Sequence, residues 1–111
     1  MSTATNGRAR EYRVAADLER HGFRLLMRAA GSKGSADIAV VSKVAGLALV
    51  QVGTRNKRLG PAQRLRLCED AADAGALALL AVTHPGVGVR YWRVTMAVPG
   101  SWVEYKPGDE E

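Results

Sequence analysis

The sequence predicts an α/β domain: one mixed five-stranded sheet with helices packed on it, in the order α-β-β-β-α-β-β. Three observations carry this reading. Two apolar, β-branched runs within 32–53 are separated by Lys43-Val44-Ala45-Gly46, the pattern of an antiparallel hairpin. The segments before and after it carry apolar residues at helical spacing and end at glycines. A further run, Ala76 to Thr83, is apolar almost without interruption, as in a strand covered on both faces. One sheet with helices on it is the economical way to bury all of these.

The first helix is expected over about Asn6 to Arg20, with Val14, Ala15 and Leu18 as its apolar stripe and Gly22 as its stop signal. Glu11 lies on that stripe, one turn before Ala15, where burying a carboxylate is costly unless a cation meets it. A rim position paired with Arg8 or Arg10 would satisfy it, whereas Asp17 and Glu19 fall where solvent is expected. Phe23 to Ala29 has strand composition and runs into a loop of small residues, Ala30 to Ser35. That loop is too short and wrongly spaced for a Walker phosphate loop. Its small residues would still admit a nucleic-acid backbone, with Ser32, Lys33 and Ser35 as donors to phosphate; plain loop punctuation explains them equally.

Within the hairpin, alternation puts Leu47, Leu49, Gln51 and Gly53 on one face and Ala48, Val50 and Val52 on the other. The start of the first strand, where Asp37 stands, lies beside the end of the second, where Gln51 stands. If Asp37 points to the side of Gln51, two oxygen ligands converge, a seat for a hard cation such as magnesium. The polar connection Thr54 to Gly60 leads to Pro61, favoured at a first helical position. The second helix is expected to bury Leu65, Cys68 and Ala72, to leave Arg64, Glu69 and Asp73 nearer solvent, and to close at Gly75. A strand over Ala76 to Thr83, a turn at His84-Pro85-Gly86 and a strand over Val87 to Thr95 follow. The tail from Met96, with Trp102 and Tyr105, reads as a late strand, a dimer contact or a loose end.

At 111 residues the chain has the size of one domain, 1–111, with a short N-terminal segment 1–5 and an acidic tail 106–111. An apolar fraction of 47% argues against disorder, and no apolar run approaches the roughly 20 residues of a membrane span. The N-terminus lacks the apolar segment of a secretory signal, which predicts a cytoplasmic location. The lone Cys68 excludes an internal disulfide and a zinc cluster. A net charge of +5 favours a polyanionic partner. The cations gather at Arg8, Arg10 and Arg13, and again at Arg55, Lys57, Arg58, Arg64 and Arg66, flanking the hairpin where phosphates could be gripped.

In this order and at these places the residues resemble the PD-(D/E)XK nuclease superfamily, which has a restriction-endonuclease-like fold. More narrowly they resemble the archaeal-type Holliday junction resolvases and their phage-encoded relatives. The likeness spans roughly Asn6 to Val94. It rests on Gly7-Arg8-Ala9-Arg10-Glu11 opening the first helix, His21-Gly22-Phe23 leading into the first strand, the Ser32-to-Ser35 loop, Asp37 after Ala36, and Gln51-Val52-Gly53. The resemblance implies a catalytic set of Glu11, Asp37, Gln51 and Gly53 with Ser32 or Ser35 near the scissile phosphate. It implies magnesium, or manganese in its place, held by Glu11, Asp37, Gln51 and the Val52 carbonyl. It implies a homodimer that nicks a four-way DNA junction on two symmetric strands, in the host cytoplasm if the chain is phage-encoded, with Arg8, Arg10, Arg13, Lys33, Arg55, Lys57, Arg58 and Arg64 on DNA phosphates.

Two positions depart from the family pattern. Gln51 stands where an acid is usual, so one negative charge is lost. Gly53 stands at the lysine position and carries no charge at all. Lys57, Arg55 or Lys33 reaching in from a loop would restore the cation. Without such a replacement the chain is a junction-binding module with little or no cleavage, and a third alternative is a basic structural or regulatory protein.

Overall fold

A computed structural model of the chain describes residues 3–28, 36–54, 59–84 and 86–108, with side chains from residue 8. Helix α1 (Thr3–Glu19) is followed by strands β1 (Arg24–Arg28), β2 (Ile38–Ser42) and β3 (Gly46–Thr54). Helix α2 (Pro61–Ala74), then β4 (Leu77–His84), β5 (Gly88–Arg93), a 3-10 turn (Pro99–Ser101) and β6 (Glu104–Tyr105) complete it. The strands lie in one sheet in sequence order, β3 and β4 parallel and every other pair antiparallel. Among the described residues no helix is long and apolar enough to cross a membrane.

The sheet has six strands where five were expected, because the tail returns to it. Trp102 and Tyr105 are both buried, Trp102 under α2 and Tyr105 under α1, and Trp102 Nε1 donates to the Ala97 carbonyl at 3.0 Å. Two aromatic side chains bury enough apolar surface to pin a strand of two residues against β5. So short a strand has no alternating pattern to read.

Both helices end in the same way. Gly22 (φ 90°) and Gly75 (φ 65°) take the left-handed conformation that glycine tolerates without strain. The amides of Gly22 and Phe23 reach back to the Glu19 and Leu18 carbonyls, and those of Gly75 and Ala76 to Ala72 and Ala71, which is the Schellman closure. Phe23 then packs with Leu18 in the core, so the turn that stops α1 also aims β1 along it.

The sheet is covered on both faces. Val14, Ala15 and Leu18 of α1 pack with Ile38, Val40, Ala48, Val50, Leu79 and Ala81. Leu67 of α2, with Leu59, packs on the opposite face with Leu80, Val82, Val94 and Trp102. The alternation of Leu79 and Ala81 with Leu80 and Val82 is why β4 is apolar along its whole length.

Two helix faces differ from expectation. In α2 the buried residues are Leu67 and Ala71, with Arg64 and Cys68 half-buried, while Leu65 is 46% exposed and Ala72 is also exposed. The buried stripe is offset by one residue from the expected one, a rotation of about 100°, and Arg64 turns inward instead of towards solvent. In α1, Asp17 is half-buried: its Oδ2 accepts from the Tyr91 hydroxyl at 2.7 Å and its Oδ1 from Arg20 at 2.9 Å. Burial, with the Asp17 hydrogen bond second, pushes the Tyr91 hydroxyl far above the ordinary tyrosine range.

Candidate functional site

The end of β1, the start of β2 and the end of β3 meet at one end of the sheet. Arg28, the last residue of β1, pairs with Ile38, the first of β2, and Ile38 pairs with Val50. β3 continues past Val50 to Thr54 alongside β4. Of the residues singled out in the sequence, Asp37, Gln51 and Gly53 fall on this end.

Asp37 precedes β2 by one residue. Its N–H donates to the Val50 carbonyl at 2.9 Å, one residue out of the Ile38–Val50 register, so the chain bends here. The bend turns the carboxylate onto β3, where Oδ2 accepts the Val52 N–H at 2.8 Å. The side chain thereby fills a ladder position that the main chain of β2 has left, and Val52 fixes its orientation. Among the described residues Oδ1 has no hydrogen-bond partner.

Gln51 and Gly53 alternate with Val50 and Val52, which pack under α1, and so stand on the face covered by α2. There they lie beside Leu80 and Val82 of β4, and the buried Thr83 hydroxyl donates to the Gly53 carbonyl at 3.5 Å.

Glu11 comes from α1, on the other face. Its side chain is 18% exposed, and Oε1 accepts from Arg28 Nε at 3.2 Å and Nη2 at 3.1 Å. The Arg28 guanidinium also stacks on the Tyr12 ring, 4.8 Å from its centroid. The cation that Glu11 needs is therefore Arg28, not Arg8 or Arg10. A carboxylate on an apolar helix stripe signals such a need, and Arg28, in the neighbouring strand, meets it. Among the described residues no three His, Cys, Asp or Glu side chains converge. What comes together is Asp37 with Val52, Glu11 with Arg28, and Gln51 with Gly53 on one face.

Of the basic residues, Arg8 and Arg13 are exposed and Arg10 half-buried. Arg64 donates from Nη1 to the Leu59 carbonyl at 2.8 Å, and its Nε is buried without a partner. Burial raises the Cys68 thiol, against the opposing charge of Arg64, so this cysteine is no activated nucleophile. Ser32, Lys33, Ser35, Arg55, Lys57 and Arg58 lie outside the described residues.

Neither protein-family models nor curated proteins give a match to this chain. Among solved structures the chain is similar to Archaeoglobus fulgidus Hjc, a Holliday junction resolvase from an archaeal hyperthermophile. The TM-score is 0.67 at 23% sequence identity, over 78% of this chain and 76% of that one. The likeness is one of fold: a mixed α/β sheet with two helices.

Proposed function

We propose that the chain is a magnesium-dependent, structure-specific endonuclease that nicks four-way DNA junctions symmetrically, as a homodimer in the cytoplasm. The observation that carries this reading is the fold shared with a Holliday junction resolvase. Asp37, held by Val52 at the end of the hairpin, supports it by supplying a preset carboxylate.

The donor chemistry fits a hard cation in kind: carboxylate, amide and main-chain carbonyl oxygens. Asp37, with the Val52 carbonyl and Gln51 at the same strand end, would hold the ion, whereas Glu11, on the α1 face with Oε1 taken by Arg28, would have to reach around the strand end to join them. Gln51 brings no charge, so affinity is expected to be lower than for a site with a third acid. When bound, such an ion supplies Lewis-acid polarisation of the phosphodiester and lowers the pKa of water. The chain's own residues orient and neutralise. Val52 keeps Asp37 in one orientation, Arg28 does the same for Glu11, and the exposed Arg8 and Arg13 would grip phosphates without reading bases. In the net reaction one water adds to phosphorus, one P–O ester bond breaks, and the departing alcohol takes the proton.

A second reading rests on Gly53: without a cation at this position the same fold would bind junctions and leave them intact. One assay separates the two. End-labelled four-way junction with magnesium, with manganese, or with chelator should give paired symmetric nicks only in the presence of metal. Binding without nicks favours the second reading. Equal affinity for four-way junction and linear duplex at moderate salt would sink both.

A further inference from the structure

We infer that Arg64 of α2 is a catalytic residue that holds the reacting phosphate, supplying from the helix the positive charge that Gly53 does not supply from the strand. This rests on the nuclease reading above and names the residue that makes it workable without a lysine on β3.

The placement comes from the crossover. β3 and β4 are parallel, and α2 connects them, so α2 starts over the end of β3 and runs back along it. Arg64 is one turn before Leu67, on the stripe that faces the sheet. Its Nη1 holds the carbonyl of Leu59, whose side chain packs in one cluster with Leu80 and Val82. Those two are the β4 neighbours of Gln51 and Gly53 on the same face. The first turn of α2, and Arg64 with it, thus lies over the sheet face on which position 53, itself buried, carries no side chain.

Its bonding points to an anion. An arginine offers five N–H donors; among the described residues Arg64 uses one, on a neutral carbonyl, and makes no ion pair. Its Nε is fully buried with no acceptor, so an incoming anion would meet the Nη1–Nη2 end of the fork. A half-buried guanidinium without a carboxylate is costly to keep, and its planar fork matches two oxygens of a phosphate. Arg28, another half-buried cation at this end, is committed to Glu11 of α1. Arginine stays protonated throughout, so Arg64 forms no covalent bond and takes no proton. It offsets the charge that grows on the phosphoryl oxygens as water attacks.

The test compares native chain, Arg64→Gln, Gly53→Lys and the double variant. Single-turnover cleavage of four-way junction is measured in magnesium, and junction binding in calcium. Arg64→Gln is expected to slow cleavage about 100-fold while binding weakens no more than about tenfold. Adding Gly53→Lys to Arg64→Gln should recover at least about tenfold of the rate. Recovery would not follow if Arg64 only braced Leu59, so failure of the double variant to recover, with both variants melting cooperatively, overturns the assignment. Cleavage by Arg64→Gln at the native rate overturns it while leaving the nuclease reading intact. A native chain that binds but does not cleave, and is switched on by Gly53→Lys alone, removes both the assignment and the nuclease reading.

Discussion

Asp37 has an observed strand-end role and a proposed metal-holding role, and one substitution pair can separate them. Its Oδ2 accepts the Val52 N–H at 2.8 Å, a strand-end bond worth having in any protein of this fold. Asparagine keeps an oxygen acceptor at that point but removes the charge. Hydrogen bonds to charged groups contribute about 1.5–3 kcal/mol and neutral ones about 0.5–1.5 kcal/mol, so Asp37→Asn should cost about 1 kcal/mol. For a chain of 111 residues this lowers Tm by roughly 4 °C. Asp37→Ala leaves the Val52 amide without its acceptor, at about 1–3 kcal/mol. Stability should therefore fall in the order Asp, Asn, Ala. Cleavage should not follow that order. Losing a metal-holding charge removes several kcal/mol of transition-state stabilisation, so both variants should cleave junction about 10³-fold more slowly. Thermal melts and single-turnover cleavage, with protein in excess over labelled junction, give both numbers. Should Asp37→Asn cleave within about threefold of the native rate while Asp37→Ala is measurably destabilised, the carboxylate is a strand-end cap and the metal assignment fails.

The remaining predictions concern the groups that hold the two faces. Arg28→Met strips Glu11 of its cation and is expected to cost about 1–3 kcal/mol in urea unfolding. Adding Glu11→Gln should restore part of it, and simple additivity of the two would show that they are not coupled. Tyr91→Phe removes the 2.7 Å bond to Asp17, at about 1.5–3 kcal/mol. Because the folded protein raises the Tyr91 pKa above the ordinary 10.0, its stabilisation is complete below that pH and is lost as pH rises beyond it. The variant should lack that share of the alkaline loss, and parallel curves above pH 10.0 would count against it. Glu104 is held below its usual 4.5, first by the hydrogen bond from Arg90, so its contribution is present above that pH and fades as pH falls below it. Glu104→Gln should flatten the acid limb of a plot of Tm against pH, and an unchanged limb would mean the exposed pair contributes nothing measurable.

Features set by neighbouring residues were legible in the sequence, and features set by what an element packs against were not. The hairpin, the glycine stops at Gly22 and Gly75 and the α1 stripe of Val14, Ala15 and Leu18 are local patterns, and the structure keeps them. Helix α2 holds two competing stripes, Leu65-Cys68-Ala72 and Leu67-Ala71, and local spacing cannot rank them. The sheet does, by burying Leu67 against Leu80 and Val82. Asp17 was misplaced for the same reason, since its partner Tyr91 is 74 residues away, and Arg28 meets Glu11 across 17. The site inherits this division. Asp37, Gln51 and Gly53 could be located from the hairpin alone, whereas the cation facing them depends on the rotation of α2. The rotation that hides Leu67 also turns Arg64 towards the sheet face on which Gly53 carries no side chain. A lysine at the buried position 53, on the face that the half-buried Arg64 covers, would add a second like charge there, and the two would repel. On the proposal made for Arg64, Gly53 and the inward arginine belong together: the glycine avoids the repulsion, and the arginine would supply the charge that a lysine would otherwise bring.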